Sequence, residues 1–279
     1  MKFFKVFYKY RWTVIIPVFF VSCEKEIKLE PENSEEKIFV EAIFTDLSPL
    51  SYVRLTKTKG LYEGVTNHPV VTDALVQIED LTTGTIFDLN YNINDKKYYI
   101  NAPGISGHRY RLKIDVEEQQ ITSTKTMSTA VNLNSVTSVP VSGTNDRYFL
   151  KMNFIDPPET QDFYLFLIMP VIPNPDDPDL QPRFTVRSDM LFDRIHNSMI
   201  LDDEIFRVDE DWMILFYHID IENYNYLHTI LRAMKSLKNG AHPFYGLALG
   251  NPEDTVDGDK TFGFFITSPV RWTPIHIGN

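Results

Sequence analysis

Cys23 is the only cysteine in 279 residues, and the chemistry open to a single thiol is limited. It cannot form a disulfide within its own chain, so in a secreted protein it calls for another use, and carrying a lipid on its sulfur is one. Other reactive side chains are scattered. Ser106 lies between glycines in Gly104-Ile105-Ser106-Gly107-His108, but a nucleophile elbow needs glycine two places after the serine, on a strand-to-helix turn. His108 stands there instead, and the segment reads as a hairpin turn. No His-Glu-x-x-His zinc motif and no phosphate-binding glycine loop occurs. His218 and His228 fall on an expected strand and an expected helix, where a surface or hydrogen-bonded buried histidine is the ordinary outcome. Two acidic groups, Asp202-Asp203-Glu204 with Asp209-Glu210-Asp211, and Asp254 with Asp257 and Asp259, could offer the carboxylate oxygens that Ca²⁺ takes. Neither follows the twelve-residue EF-hand loop, and charge runs ordinarily mark solvated turns. These residues point to no catalytic site, no metal site and no cofactor, and the expectation is a protein that is not an enzyme.

The segment ahead of Cys23 explains the thiol. Lys2, Lys5, Lys9 and Arg11 precede an apolar stretch from Trp12 to Val21, and Ser22 follows. That is the order of a signal peptide: charged region, hydrophobic region, small-residue processing site. Ten apolar residues are too few to cross a hydrocarbon layer of about 30 Å, which needs about 20. Val21-Ser22-Cys23 is similar to a bacterial lipobox, so residues 1–22 are expected to be removed and Cys23 to be acylated, anchoring the chain to a membrane. Taking four basic and no acidic residues from totals of 27 and 38 leaves 23 against 38, a formal charge of −15. Nucleic acid is not an expected partner for such a chain. Residues 23–36 hold six glutamates and Pro31 and almost nothing apolar, the composition of a flexible acidic tether.

Past the tether, the texture is that of strands. Tyr110 to Val116 alternates apolar and polar over seven residues, as a strand with one dry and one wet face does. Similar runs lie at Ile38 to Phe44, Tyr52 to Thr58, Ala74 to Glu79, Thr85 to Tyr91, Lys97 to Ala102 and Ile121 to Lys125. Seven short strands separated by turns predict a β-sandwich, Ig-like or transthyretin-like, over residues 37–128. A second β-rich domain is expected over 129–279. It opens with Val131 to Pro140 and continues with Tyr148, Leu150, Met152 and Phe154 on one face of a strand. Phe163 to Val171 is an unbroken apolar run suited to a strand buried on both faces. Pro170 to Pro182 is a loop, and Trp212 to Ile219 and Thr261 to Thr267 are further strands. One amphipathic helix is expected near 221–238, with Tyr224, Leu227, Leu231, Met234 and Leu237 in a stripe, Asp220 as its cap and Asn239-Gly240 as its stop.

The order of these segments resembles a known family. Phe39-Val40-Glu41-Ala42-Ile43-Phe44-Thr45-Asp46, Tyr52-Val53-Arg54-Leu55-Thr56 and Val71-Thr72-Asp73-Ala74-Leu75-Val76-Gln77-Ile78 come first. Gly104, Gly107, Tyr110-Arg111-Leu112, Thr122-Ser123-Thr124 and Met127 follow, then Asn251-Pro252 and Gly263-Phe264-Phe265. With the lipobox, they resemble the Bacteroidota outer-membrane lipoproteins grouped as domain of unknown function 4249. The resemblance implies a non-enzymatic lipoprotein on the outer membrane, facing the cell exterior, that serves as binding or accessory partner of a TonB-dependent nutrient-uptake receptor. An alternative is a structural or adhesive surface protein built from β domains. A third, a hydrolase with an unrecognised site, rests only on the acidic groups and on 37 aromatic residues.

Overall fold

Alternation in sequence becomes alternation in burial. Along Arg109–Val116, Tyr110, Leu112, Ile114 and Val116 are buried, while Arg111, Lys113 and Asp115 reach the outer face. The computed structural model describes residues 36–58, 68–158, 160–174, 176–189, 197–238, 250–256, 258 and 261–278. In chain order the first eight strands are β1 (Ile38–Phe44), β2 (Tyr52–Lys57), β3 (Leu75–Asp80), β4 (Thr85–Asp88), β5 (Asn90–Asn92), β6 (Lys97–Tyr99), β7 (Arg109–Val116) and β8 (Gln119–Thr126). Then come β9 (Leu133–Pro140), β10 (Arg147–Phe154), β11 (Phe163–Pro170), β12 (Arg183–Ser188), β13 (Asn197–Arg207) and β14 (Asp211–Ile219). The helix α1 (Ile221–Lys238) precedes β15 (Glu253–Asp254), β16 (Phe262–Thr267) and β17 (Val270–His276). The fold is mainly β, as expected, with one α-helix among the described residues.

The strands make four sheets: sheet I in the order β15-β8-β7-β3-β4, sheet II β16-β1-β2-β6-β5, sheet III β12-β11-β14-β17 and sheet IV β13-β10-β9. Sheets I and II close a sandwich around Val40, Phe44, Leu55, Ile78, Tyr110 and Leu112. The expected strand Thr85 to Tyr91 is in fact two, β4 in sheet I and β5 in sheet II. They part at buried Leu89, where the chain crosses from one sheet to the other.

The central strands of sheet III, β11 and β14, are buried on both faces over most of their length, as the unbroken run through β11 predicts. Tyr164, Phe166 and Ile168 point with Trp212, Ile214 and Phe216 toward Leu150, Met152 and Phe154 of sheet IV. Phe163 and Leu165, with Leu215, Tyr217 and Ile219, pack on the other side against Tyr226 and Leu227 of α1 and against Ile43 and Ile266 of sheet II. A strand between two apolar layers cannot alternate, because both faces must be dry. The sequence reading missed β12, β13, β15 and β17; β17 holds Pro274 at the edge of its sheet, the place where a residue without an N–H is tolerated.

Two expectations need correction. The division at Ser128 supposed two contiguous domains, but β15 pairs with β8 and β16 pairs in parallel with β1. Strands from beyond residue 250 therefore complete the first sandwich, and Glu35–Asn279 forms one compact unit. Helix α1 has the expected bounds and cap, with the Asp220 carboxylate accepting from the Asn223 N–H at 2.8 Å. Its buried face is rotated, however. Asn223, Tyr226 and Leu227 are buried and Met234 is 46% exposed, because the helix packs its first turns against β16 and sheet III. The Asn239-Gly240 stop lies outside the described residues.

Candidate functional site

The end of β8, the end of β14, the start of α1 and the end of β16 converge on a cleft of about 310 Å³. Thr126, Ser128, Gln161, His218, Asp220 and Asn223 supply its polar lining. His218 is the most constrained of these. Its backbone N–H donates to Ser268 Oγ at 3.0 Å, and its carbonyl accepts from Ser128 Oγ at 2.6 Å. Its ring places Nδ1 3.0 Å from the Thr129 carbonyl and Nε2 2.7 Å from Asp162 Oδ1. One residue thereby ties β14 to the segment that leaves the first sandwich.

Behind His218 sit the buried carboxylates of Asp156, Asp162 and Asp189, with one oxygen from each within 4.8 Å of the others. Asp156 and Asp162 stand six residues apart in the connection from β10 to β11, and Asp189, which follows β12, joins them from a distance in sequence. Each has work inside the protein. The Tyr164 phenol donates to Asp156, and burial and then that carboxylate hold the phenol far above its ordinary range. Thr160 donates to Asp162 at 2.6 Å, while the Asp162 N–H donates to Asp189 at 2.9 Å. Calcium takes six to eight oxygens, whereas this group is knitted to a phenol, a hydroxyl, a backbone N–H and an imidazole. It reads as a polar seal on the end of the sheet III and sheet IV core, since buried polar groups must find partners.

A second network fastens the helix. Asn251 Oδ1 accepts from the Phe265 N–H at 2.8 Å and from Ser123 Oγ at 3.1 Å, and its Nδ2 donates to Asn223 Oδ1 at 2.8 Å. Asn223 Nδ2 then donates to the Phe265 carbonyl and to Asp220, each at 3.0 Å. The Asn251-Pro252 and Gly263-Phe264-Phe265 segments thus meet at one clamp joining β8, β16 and α1.

Among the described residues, the acidic groups singled out in the sequence do not gather at one point. Asp203 lies with Arg187 and Lys235; burial would raise its carboxyl, but these two cations outweigh it and hold it below the ordinary range. Glu204 pairs with Arg183 at 3.3 Å, Glu210 accepts from the Trp212 indole at 3.1 Å, and Asp211 meets His276 at 2.8 Å. Asp254 accepts from the Val256 N–H within its own turn; Asp257 and Asp259 lie outside the described residues, as does Cys23.

Ser106 sits in an exposed turn beside Gly107, whose φ is +83°. The neighbouring His108 ring turns to Asp80, 2.8 Å away, a partner the sequence reading did not find. Burial alone would raise the Asp80 carboxyl, but His108 and the Thr82 and Thr83 N–H groups outweigh it and hold it below the ordinary range. A depressed carboxyl contributes stability above its unfolded value, near pH 4, and loses it as pH falls further. Asp80→Ala should therefore cost about 2 kcal/mol at pH 7, and the penalty should shrink below about pH 4. Urea melts of both proteins across pH 3 to 7 measure it; a penalty independent of pH would mean that the carboxylate charge plays no part.

A family model described as Domain of unknown function (DUF4249) matches residues 24–271. No curated protein matches the chain.

Proposed function

The chain belongs to the DUF4249 family, and from that premise we propose that it is a lipid-anchored outer-membrane lipoprotein, facing the cell exterior, that serves as a non-enzymatic binding partner of a TonB-dependent nutrient-uptake receptor. The observation that carries this reading is the N-terminal sequence. A basic and then apolar leader ends at Cys23, and the family match starts at the next residue, as suits a mature chain that begins with an acylated cysteine.

A strip on sheet III suits a binding protein. Met169, Met213 and Pro274 form one cross-strand row, and Trp272 stands in the next, beside Leu215 of the buried core. Met169 is 43% and Trp272 56% exposed. Exposed apolar surface of this kind marks contact sites, and tryptophan is prominent among residues that dominate interface energies.

The test is crosslinking on intact cells followed by identification of captured membrane proteins, together with deletion of the gene and measurement of nutrient uptake. Capture of a TonB-dependent receptor with impaired uptake of one nutrient is the expected result. If no receptor is captured and uptake is unchanged for every nutrient, the accessory role fails, and a structural or adhesive role at the surface takes its place.

A further inference from the structure

The stretch from residue 250 to 278 touches every layer of the fold. β15 pairs with β8 in sheet I, β16 with β1 in sheet II and β17 with β14 in sheet III, and the Gly278 N–H donates to Ser138 of β9 in sheet IV at 3.2 Å. All three strands are edge strands. The same stretch supplies every core: Phe265 to the first, Ile266 and Val270 to the one between sheets II and III, and Ile277 to the one between sheets III and IV. Asn251 adds the clamp on α1 described above.

We infer that residues 250–278 act as a closing strap, and that none of the three cores becomes stable until the strap docks. Before docking, β1, β8 and β14 each present an open edge of unpaired N–H and C=O groups, and each core lacks at least one large side chain. The pairing of β1 with β16 is also among the most distant in the sequence, and contacts that close long loops form late because the chain entropy must be lost first. Residues Ile38 to Phe154 thus fail to protect themselves although their own strands are present. One consequence rests on the function proposed above: a chain exported from its N-terminus stays unfolded until residues 250–278 have crossed. The docking order itself does not depend on that reading, so the two can fail separately.

Pulse-labelled hydrogen exchange during refolding of the full mature chain tests the order. The expected result is that amides of β1, β7 and β14 gain protection in the same kinetic phase as those of β16 and β17. Protection of β7 and β14 in a phase ten times faster than the strap would overturn the inference. A chain cut before Gly250 gives a second measurement. It should show no cooperative melting and rapid proteolysis throughout, whereas a cooperative melt with protection of the first sandwich would show that the strap is only a cover.

Discussion

Gly263→Val should be among the most destabilising single substitutions in the mature chain. Gly263 has a φ of +117°, a conformation that side chains rarely adopt, and a Cβ there would lie 1.9 Å from the Val40 carbonyl oxygen. Val40 is its partner in the parallel pairing of β1 with β16, so the clash falls on the ladder that completes the first sandwich. Retreat is blocked from the other side, where a Cβ on Gly250 would lie 1.9 Å from the Gly263 carbonyl oxygen. Three backbones are stacked at a spacing that only glycine allows. Backbone strain with loss of a core strand belongs among the largest single-residue effects, roughly 4–5 kcal/mol, against a total stability of about 5–15 kcal/mol. Gly84→Ala is the control: its φ is +77°, with nothing within 4 Å of the added Cβ, and it should cost about 1 kcal/mol from conformation alone. Thermal melts followed by circular dichroism compare the two. Equal costs would mean that the close approach at Gly263 contributes nothing.

Cys23→Ser should remove acyl labelling completely and release any processed protein from the membrane. Each buried CH₂ contributes about 0.8 kcal/mol, so one chain gives reversible binding, whereas two membrane signals already hold a protein stably. With the thiol gone, no other cysteine can take the lipid. The proposed anchor would also bear on partner choice. On the proposed reading, a tether of about thirteen residues from Glu24 to Glu36 would reach on the order of 20 Å root-mean-square and would keep the folded part close to the bilayer. A receptor in the same membrane is then met at high effective concentration, and a modest interface suffices to hold the pair. A soluble partner gains nothing from this arrangement. Metabolic labelling with a fatty acid analogue, followed by fractionation, is the measurement. If the serine variant stays in the membrane fraction, the leader is acting as an uncleaved anchor.

Sequence alone determined what is local in this protein. Period-two alternation located β7 and most of the first sandwich, because a strand between core and water must alternate. The unbroken apolar run of β11 announced burial on both faces, and Asp220 announced the start of α1 through the carboxylate that its first turn needs. What joins distant residues was decided only by the tertiary structure. The sequence cannot say that Gly263 lies against Val40, that Asn251 reaches Asn223, or that Asp156, Asp162 and Asp189 gather behind His218, since each of these depends on strand pairing across long separations. The boundary expected at Ser128 failed on this point. Strand patterning marks where a sheet could end, but not whether its open edge is filled by a neighbour in sequence or by a distant segment, and here closing the edge of β1 required a strand from more than two hundred residues away.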